Sequence, residues 1–232
     1  MKKLVIIPAY NESDSIVDTI RNIQKKAPDF DYVVINDCSK DNTLQLLKDN
    51  HINYLNLPVN LGIGGAVQTG YKYALENEYD LAVQVDGDGQ HDPSYLNKLA
   101  EVMETQHADM VIGSRFIENQ GFQSTFMRRM GITYFTKMIK ILTGKTITDP
   151  TSGFRMANKE VIAIFAREYP RDYPEPESIV SLLRMGKTIV EVPVEMKERQ
   201  GGISSIRFSN SIYYMIKVSL AILIECTRKK ER

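Results

Sequence analysis

The 232 residues are enough for one α/β domain with a large buried core, and the hydrophobic fraction of 43% is typical of a folded globular protein rather than a disordered one. Lysine plus arginine equals aspartate plus glutamate at 29 each, so the chain lacks the overall basic charge of a nucleic-acid-binding protein. The two cysteines, Cys38 and Cys226, have no metal-like spacing and indicate no disulfide framework.

Short apolar runs alternate with helical patterns along the first half of the chain. Strands are predicted at 4–7, 32–35, 52–57 and 81–85, and helices from near residue 13, over 43–49 and over 63–78. Strands of β-branched residues separated by amphipathic helices indicate βαβ units and a mostly parallel sheet. In such a sheet the carboxyl ends of the strands lie along one edge, which is where ligands bind.

The pattern is less regular in the second half. A strand is predicted at 110–113, helices over 126–142, 158–169 and 177–185, and a further strand at 188–194. Because there is no internal repeat and no linker-like stretch, we expect one domain over residues 1–207, followed by a C-terminal helix within 208–232.

The apolar run at 212–224 admits two interpretations. It is shorter than the roughly 20 residues that span a bilayer, and Lys217 near its middle is costly in hydrocarbon. It forms either a helix that packs on the core or one that lies on a membrane surface, with Lys217 and Glu225 reaching the headgroups. A helix here places four apolar side chains near one face, namely Ile212, Ile216, Leu220 and Leu223. The basic cluster at 228–230 favours the membrane, because such clusters attract anionic lipid.

Polar clusters follow directly after three predicted strands, at residues 10–12, 37–39 and 86–88. We expect them to converge at one edge of the sheet, although they are far apart in sequence. In the last cluster Asp86 and Asp88 stand one residue apart beside glycines, which lets the chain turn around a hard cation such as Mg²⁺ or Mn²⁺. The alternative is an ordinary Asp-Gly turn.

Six motifs occur in order along the chain. They are IPAYNE at 7–12, INDCSKDNT at 35–43, NLGIGGA at 60–66, DGDGQ at 86–90, GSRF at 113–116 and DPTSGFR at 149–155. As an ordered set they resemble family 2 of the nucleotide-diphospho-sugar transferases, in the dolichol-phosphate mannosyltransferase-like branch of polyprenyl-phosphate sugar synthases. The likeness runs from about residue 3 to residue 207.

The resemblance implies a single GT-A domain, a Rossmann-like α/β fold, and an inverting hexosyltransferase that depends on Mg²⁺ or Mn²⁺. It implies transfer from a UDP- or GDP-sugar to a polyprenyl phosphate by a protein associated peripherally with the cytoplasmic face of the cell membrane. Many relatives continue into transmembrane helices, whereas this chain has one short apolar segment. A homo-oligomer or a small membrane subunit is therefore a further expected partner, and nucleic acid is not.

The resemblance also assigns roles to individual residues. The donor and nucleotide pocket comprises Pro8, Ala9, Tyr10, Glu12, Asp37, Gly62, Asp86 and Gly87, and the Asp37 carboxylate accepts a hydrogen bond from the base. The metal-centred triplet comprises Asp86, Asp88 and Gln90. Arg115 and Arg128 match arginines that meet the diphosphate or the acceptor phosphate, and they form the expected catalytic set with Asp88.

Structural interpretations compete with several of these roles. Asp37 and Asp41 are suitable helix N-cap residues, Gly62 suits a turn, Arg128 suits a solvated helix face, and Tyr10 suits the core.

One departure from the branch lies near the end of the likeness. A basic residue often follows the Arg-x-x-Gly-x-Ser pattern there, whereas Ser205 follows it in this chain. The phosphate contact expected at that position is then left to Arg207.

Two alternatives change the function itself. If the acceptor is a hydroxyl of a lipid-linked or cell-surface glycan, Glu175 or Glu177 is the candidate catalytic base. Acidic residues in a first helical turn also interact favourably with the helix dipole, which is the structural alternative for both. The second functional alternative is a non-catalytic nucleotide-binding partner subunit, which would not need the full metal set.

Overall fold

The computed structural model describes residues 1–118, 126–197 and 208–227. Its strands are β1 (Lys3–Ala9), β2 (Asp31–Asn36), β3 (Tyr54–Asn56), β4 (Leu81–Gln84), β5 (Met110–Ser114), β6 (Arg155–Asn158) and β7 (Ile189–Pro193). Its helices are α1 (Ile16–Lys26), α2 (Thr43–Asp49), α3 (Gly62–Glu76), α4 (Leu96–Thr105), α5 (Phe126–Thr143), α6 (Lys159–Arg167), α7 (Pro174–Arg184) and α8 (Phe208–Thr227).

The strands form one sheet in the order β3-β2-β1-β4-β6-β5-β7. Strand β6 runs antiparallel to both of its neighbours, and the other pairings in this sheet are parallel. The prediction of a single α/β domain with a mostly parallel sheet is therefore confirmed. The hydrophobic pattern does not predict β6, because its four residues include no β-branched side chain and no alternation of apolar and polar positions.

Helices cover both faces of the sheet. In β1, Leu4 and Ile6 belong to the hydrophobic cluster that includes α3, α5, α6 and α7, whereas Val5 and Ile7 belong to the cluster that includes α1 and α4. All four side chains are fully buried. This burial on both faces explains why the strands are unbroken apolar runs, and it leaves the strand ends and their loops to carry polar groups.

Helix α8 packs one side against the domain and leaves the other side exposed. Val218 and Ile222 are buried, and α8 contacts α7 and α5. Among the described side chains of α8, five large apolar ones are exposed, namely Tyr213, Ile216, Leu220, Leu223 and Ile224. In the part of the chain that the structure describes, no helix is both long enough and apolar enough to cross a membrane.

Two charged residues of α8, Lys217 and Glu225, bond to the domain. Lys217 Nζ forms an ion pair with Asp172 at 2.7 Å. Glu225 is buried and its carbonyl oxygen accepts a hydrogen bond from Arg184 Nη1 at 2.5 Å, so the expectation that the Glu225 side chain reaches lipid headgroups is wrong. The side chain of Ile212 and the basic cluster at 228–230 lie outside the described residues.

Candidate functional site

The loop after β1 is bonded to the loop after β2 at the carboxyl ends of these parallel strands. The Asn11 N–H donates to Ser39 Oγ at 3.0 Å, and Asn11 Oδ1 accepts from the Lys40 N–H at 2.8 Å. The Glu12 N–H donates to Thr43 Oγ1 at 2.9 Å. Asn11 adopts a φ of 57°, a left-handed conformation that asparagine tolerates. The first two polar clusters are thus brought together, as the strand pattern predicts.

The donor-pocket candidates of the first loop lie at different depths. Pro8 and Ala9 are buried at the end of β1. Tyr10 is 42% exposed, so the interpretation of this residue as core is wrong and its ring is accessible to a ligand. Glu12 is partly buried and accepts a hydrogen bond from Ser15 Oγ at 3.3 Å.

Asp37 holds the segment that begins α3. It is buried, and its two carboxylate oxygens accept the backbone N–H groups of Leu61 at 2.7 Å and Gly62 at 2.9 Å. Gly62 has a φ of 76°, which favours glycine. Asp37 therefore caps the start of α3, a helix that is distant in sequence, as the structural alternative for this residue proposed. Any contact of Asp37 with a nucleotide base would be additional to these two bonds.

Asp41 also supports a helix start. Its Oδ1 accepts from the N–H and the hydroxyl of Thr43, at 3.0 and 2.6 Å, and its Oδ2 accepts from the Ser13 N–H at 3.1 Å. Although desolvation by burial opposes the shift, these hydrogen bonds lower the pKa of the Asp41 carboxyl. Asp41 fixes the start of α2 and the loop after β1 rather than facing a ligand.

The DGDGQ turn is locked onto α1 through Gly87. The Gly87 carbonyl oxygen accepts hydrogen bonds from Ser15 Oγ at 2.8 Å and Thr19 Oγ1 at 3.3 Å. A side chain at Gly87 would have its Cβ 3.3 Å from the Pro8 carbonyl oxygen, so glycine is what fits here. Gly89 has a φ of 76°, a left-handed conformation that favours glycine, so the segment forms a turn in addition to bearing the carboxylates of Asp86 and Asp88.

Asp86 is oriented by two neighbouring residues, Gln84 and His91. Its Oδ1 accepts from Gln84 Nε2 at 2.9 Å, and its backbone N–H donates to His91 Nδ1 at 3.0 Å. Because Nδ1 accepts, the ring proton of neutral His91 lies on Nε2, which is 3.8 Å from Asp86 Oδ2. His91 is stacked on Phe154, with ring centroids 4.9 Å apart. The sequence reasoning gave His91 no role, although its place directly after DGDGQ was a usable signal.

Asp88 and Gln90 complete the predicted triplet. Asp88 is 5% exposed, and its Oδ1 accepts from the Gln90 N–H at 3.0 Å. Gln90 is paired with Lys197, whose N–H donates to the Gln90 carbonyl oxygen at 3.0 Å and whose carbonyl oxygen accepts from Gln90 Nε2 at 3.3 Å. Within the described residues no three His, Cys, Asp or Glu side chains converge on one point. Two carboxylates on one turn suit a hard divalent cation that also binds substrate phosphate and water.

Arg115 is paired with an acidic side chain of the protein. It is buried, and its guanidinium makes a bidentate ion pair with Asp149, from Nε to Oδ2 at 2.7 Å and from Nη2 to Oδ1 at 2.8 Å. Nη2 also donates to Thr151 Oγ1 at 3.1 Å. The guanidinium and the Asp149 carboxylate are thus matched to each other within the protein. The contact of Arg115 with the diphosphate or the acceptor phosphate stays a prediction.

Arg155 is the largest fully buried side chain among the residues that the structure describes, and sequence reasoning missed it. Its guanidinium donates to the carbonyl oxygens of Ser152 at 2.5 Å, Pro150 at 3.1 Å and Glu175 at 2.9 Å, and to Ser178 Oγ at 2.9 Å. It thereby joins the 149–153 turn to the first turn of α7. A cationic residue at the end of the DPTSGFR motif was the available signal.

The remaining candidates are less defined. Glu175 and Glu177 lie in the first turn of α7, partly buried, and are compatible with both the base and the helix-dipole interpretations. Arg128 lies in the first turn of α5, but its side chain is outside the described part of the chain, as are Ser205 and Arg207.

Comparisons with known proteins agree on one family. Residues 4–165 match the family described as Glycosyl transferase family 2. The chain is 32% identical over 218 residues to an undecaprenyl-phosphate mannosyltransferase of Micrococcus luteus, covering 89% of this chain and 88% of that protein. It is 27% identical over 231 residues to a polyprenol monophosphomannose synthase of Mycolicibacterium smegmatis, covering 94% and 86%.

Solved structures agree on the fold. Glucosyl-3-phosphoglycerate synthase from Mycobacterium tuberculosis, in complex with Mn²⁺, UDP-glucose and phosphoglyceric acid, superposes with a TM-score of 0.76. The superposition covers 99% of this chain and 81% of that one, at 17% sequence identity. At that identity the likeness shows a shared fold.

Proposed function

This chain belongs to glycosyl transferase family 2 and is a glycosyltransferase, and from that membership we propose that it moves a sugar from a nucleoside diphosphate sugar to a polyprenyl phosphate. The observation that carries the acceptor assignment is the likeness to an undecaprenyl-phosphate mannosyltransferase and a polyprenol monophosphomannose synthase over 86% or more of each relative. The two carboxylates of the DGDGQ turn support the donor assignment.

On the donor side, Asp86 and Asp88 are the proposed ligands of Mg²⁺ or Mn²⁺, with Gln90 as the third member of the set. A metal bound there would neutralise charge on the departing diphosphate. The Mn²⁺ and UDP-glucose of the structural neighbour support a divalent ion in this fold. The exposed ring of Tyr10 offers the base a stacking surface, and Asp37 holds the α3 end of the same pocket.

On the acceptor side, the lipid phosphate supplies the nucleophile. One of its oxygens forms a bond to the anomeric carbon while the bond from that carbon to the diphosphate breaks, and the nucleoside diphosphate leaves with the electron pair. The configuration at the anomeric carbon inverts. Because a phosphate monoester is largely ionised near neutral pH, no protein base has to remove a proton. Arg128 is the proposed cationic contact of this phosphate.

A donor-by-acceptor screen tests the proposal. UDP- and GDP-sugars are each combined with polyprenyl phosphate, with the same polyprenol lacking phosphate, and with a lipid-linked glycan. We expect product only from the phosphate-bearing lipid. Transfer to the glycan that is lost in Glu175→Gln or Glu177→Gln would instead support the hydroxyl-acceptor alternative. If the protein binds nucleotide but forms product from none of these donor and acceptor combinations, the result would support a non-catalytic nucleotide-binding subunit.

We expect Asp37→Ala to weaken donor binding far more than it slows the bound complex. The substitution removes the acceptor of two N–H groups at the start of α3, and one charge-assisted bond is worth roughly 1.5–3 kcal/mol. Nucleotide affinity, measured by calorimetry with Mg²⁺ present, should fall about tenfold or more. Asp18→Ala, an exposed aspartate of α1, serves as the control. Unchanged nucleotide affinity in Asp37→Ala would rule out a role of Asp37 in donor binding.

The location is part of the proposal: the protein associates peripherally with the cytoplasmic face of the membrane through α8. The exposed side chains Ile216, Leu220 and Leu223 lie three and four residues apart, so they share one helix face. The opposite side of α8, with Val218 and Ile222, is buried against the domain. Helix α8 therefore presents an apolar face to its surroundings while its other side stays packed on the domain.

We expect the purified protein to float with vesicles that contain anionic lipid at low salt, and to release as salt rises. Because α8 is partly buried, substitution tests its role more cleanly than deletion of 211–232. The variant with serine at positions 216, 220 and 223 should stay folded and lose flotation, whereas Leu75→Ser on α3 should keep it. A wild-type protein that remains in the soluble fraction at every lipid charge would assign this face to a protein interface.

A further inference from the structure

Glu191 lies on the edge strand β7, and its carboxylate faces the turn that precedes β6. Its Oε2 accepts the Thr148 N–H at 2.7 Å, and its Oε1 accepts the Asp149 N–H at 2.8 Å and Thr148 Oγ1 at 2.9 Å. The three donors belong to two consecutive residues, so one carboxylate fixes both. Burial raises the pKa of the Glu191 carboxyl. Because this partly buried carboxylate accepts three hydrogen bonds from one turn, it holds the turn in place.

The turn that Glu191 holds runs between two parts of the site. At its start, Asp149 is fully buried and forms the bidentate pair with Arg115. At its end, Gly153 lies against the metal-binding acid, because a Cβ on Gly153 would be 3.3 Å from Asp86 Oδ2. The turn is therefore a short spacer between Arg115 and Asp86, and its far end is packed against the side chains of Asp86 and Gln84.

We infer that Glu191 is a positioning residue for the transfer reaction, which fixes Thr148 and Asp149 and thereby sets where Arg115 stands relative to Asp86. This inference rests on the proposed function of the same site. Reaction rates are sensitive to such placement, because a shift of about 1 Å in a group that orients reactants can cost 10²-fold.

Glu191→Gln tests the inference with little change in side-chain size. A carboxamide has one accepting oxygen, so its NH₂ must face either the Thr148 N–H or the Asp149 N–H together with the Thr148 hydroxyl. In either orientation an N–H donor faces the NH₂, and the turn has to move. We expect kcat for transfer to polyprenyl phosphate to fall about tenfold or more. Nucleotide affinity with Mg²⁺ should change less than about twofold, because the groups around Asp37 are untouched.

Further variants separate positioning from general damage. Thr148→Val removes one of the three bonds and should give a smaller fall, and Thr148→Ser, which keeps the hydroxyl, should lie closer to the wild-type rate. Glu101→Gln, on the exposed side of α4, is the matched control and should leave kcat unchanged.

Hydrogen exchange gives a second measurement that needs no acceptor. The Thr148 and Asp149 amides should exchange faster in Glu191→Gln than in the wild type, with the melting temperature nearly unchanged. Absence of transfer by the wild type would overturn the proposed function and leave the exchange result to decide whether Glu191 fixes the turn. Equal kcat and equal exchange in wild type and Glu191→Gln would overturn the inference.

Discussion

We expect Asp88→Asn to abolish sugar transfer while the protein stays folded. The substituted asparagine would keep an oxygen in the place of Oδ1, which accepts the Gln90 N–H at 3.0 Å, so the DGDGQ turn should survive. The substitution removes the negative charge of Asp88, a residue that is only 5% exposed. That charge would hold a divalent cation against the diphosphate. Groups that stabilise charge in the transition state are worth about 10²–10³-fold in kcat each.

The measurement is transfer of labelled sugar with saturating Mg²⁺ or Mn²⁺, alongside thermal unfolding of each variant. Asp92→Asn, a nearby aspartate that pairs with Lys26 at 2.8 Å, is the control for loss of a carboxylate and should retain transfer. Wild-type activity should also disappear in excess EDTA and return with added metal. Full turnover in EDTA, or by Asp88→Asn, would contradict the metal-site assignment.

We expect Arg155→Leu to destabilise the fold strongly. Arg155 is 1% exposed and donates to the buried carbonyl oxygens of Ser152 and Pro150, to the partly buried carbonyl oxygen of Glu175 and to the Ser178 hydroxyl. Each buried acceptor left without a donor costs about 1–3 kcal/mol. Burying leucine in place of a charge offsets part of this, and the net loss should be about 3–5 kcal/mol, near the cost of breaking a buried pair.

Thermal unfolding measures this loss, with an expected fall in Tm of roughly 6–20 °C at about 2–4 °C per kcal/mol for a chain of this size. Arg167→Leu, on the exposed side of α6, is the control and should lie within about 0.5 kcal/mol of the wild type. Equal Tm values for Arg155→Leu and the wild type would show that the carbonyl groups find other donors, and that Arg155 does not hold the 149–153 turn.

The sequence was most informative where local periodicity decides the outcome. The helix predicted at 43–49 coincides with α2, and the predicted strand at 110–113 is β5 without its last residue. Helix α2 buries Thr43 and Leu47, four residues apart, and β5 is a short apolar run buried at every position, so the residue pattern of each predicts its structure. Strand β6 has no such pattern, because it is defined by pairing with β4 and β5 from opposite sides.

Side-chain pairing adds contacts that the residue roles did not include. The resemblance implies that Arg115 contacts a phosphate, and the structure pairs its guanidinium with Asp149, 34 residues away in sequence. Asp37 similarly bonds to Leu61 and Gly62 in addition to lining the edge of the sheet. Single-chain periodicity contains no information about such distant partners, so a motif can mark a site correctly without assigning each residue its contact.

The most direct test of the central claim is the chemical identity of the product made from polyprenyl phosphate. The account predicts a lipid whose mass rises by one sugar residue and whose single phosphorus changes from a phosphate monoester to a phosphodiester in the ³¹P spectrum. It also predicts release of one nucleoside diphosphate per product. A product that keeps its monoester signal, with the sugar on another group, would contradict transfer to the lipid phosphate.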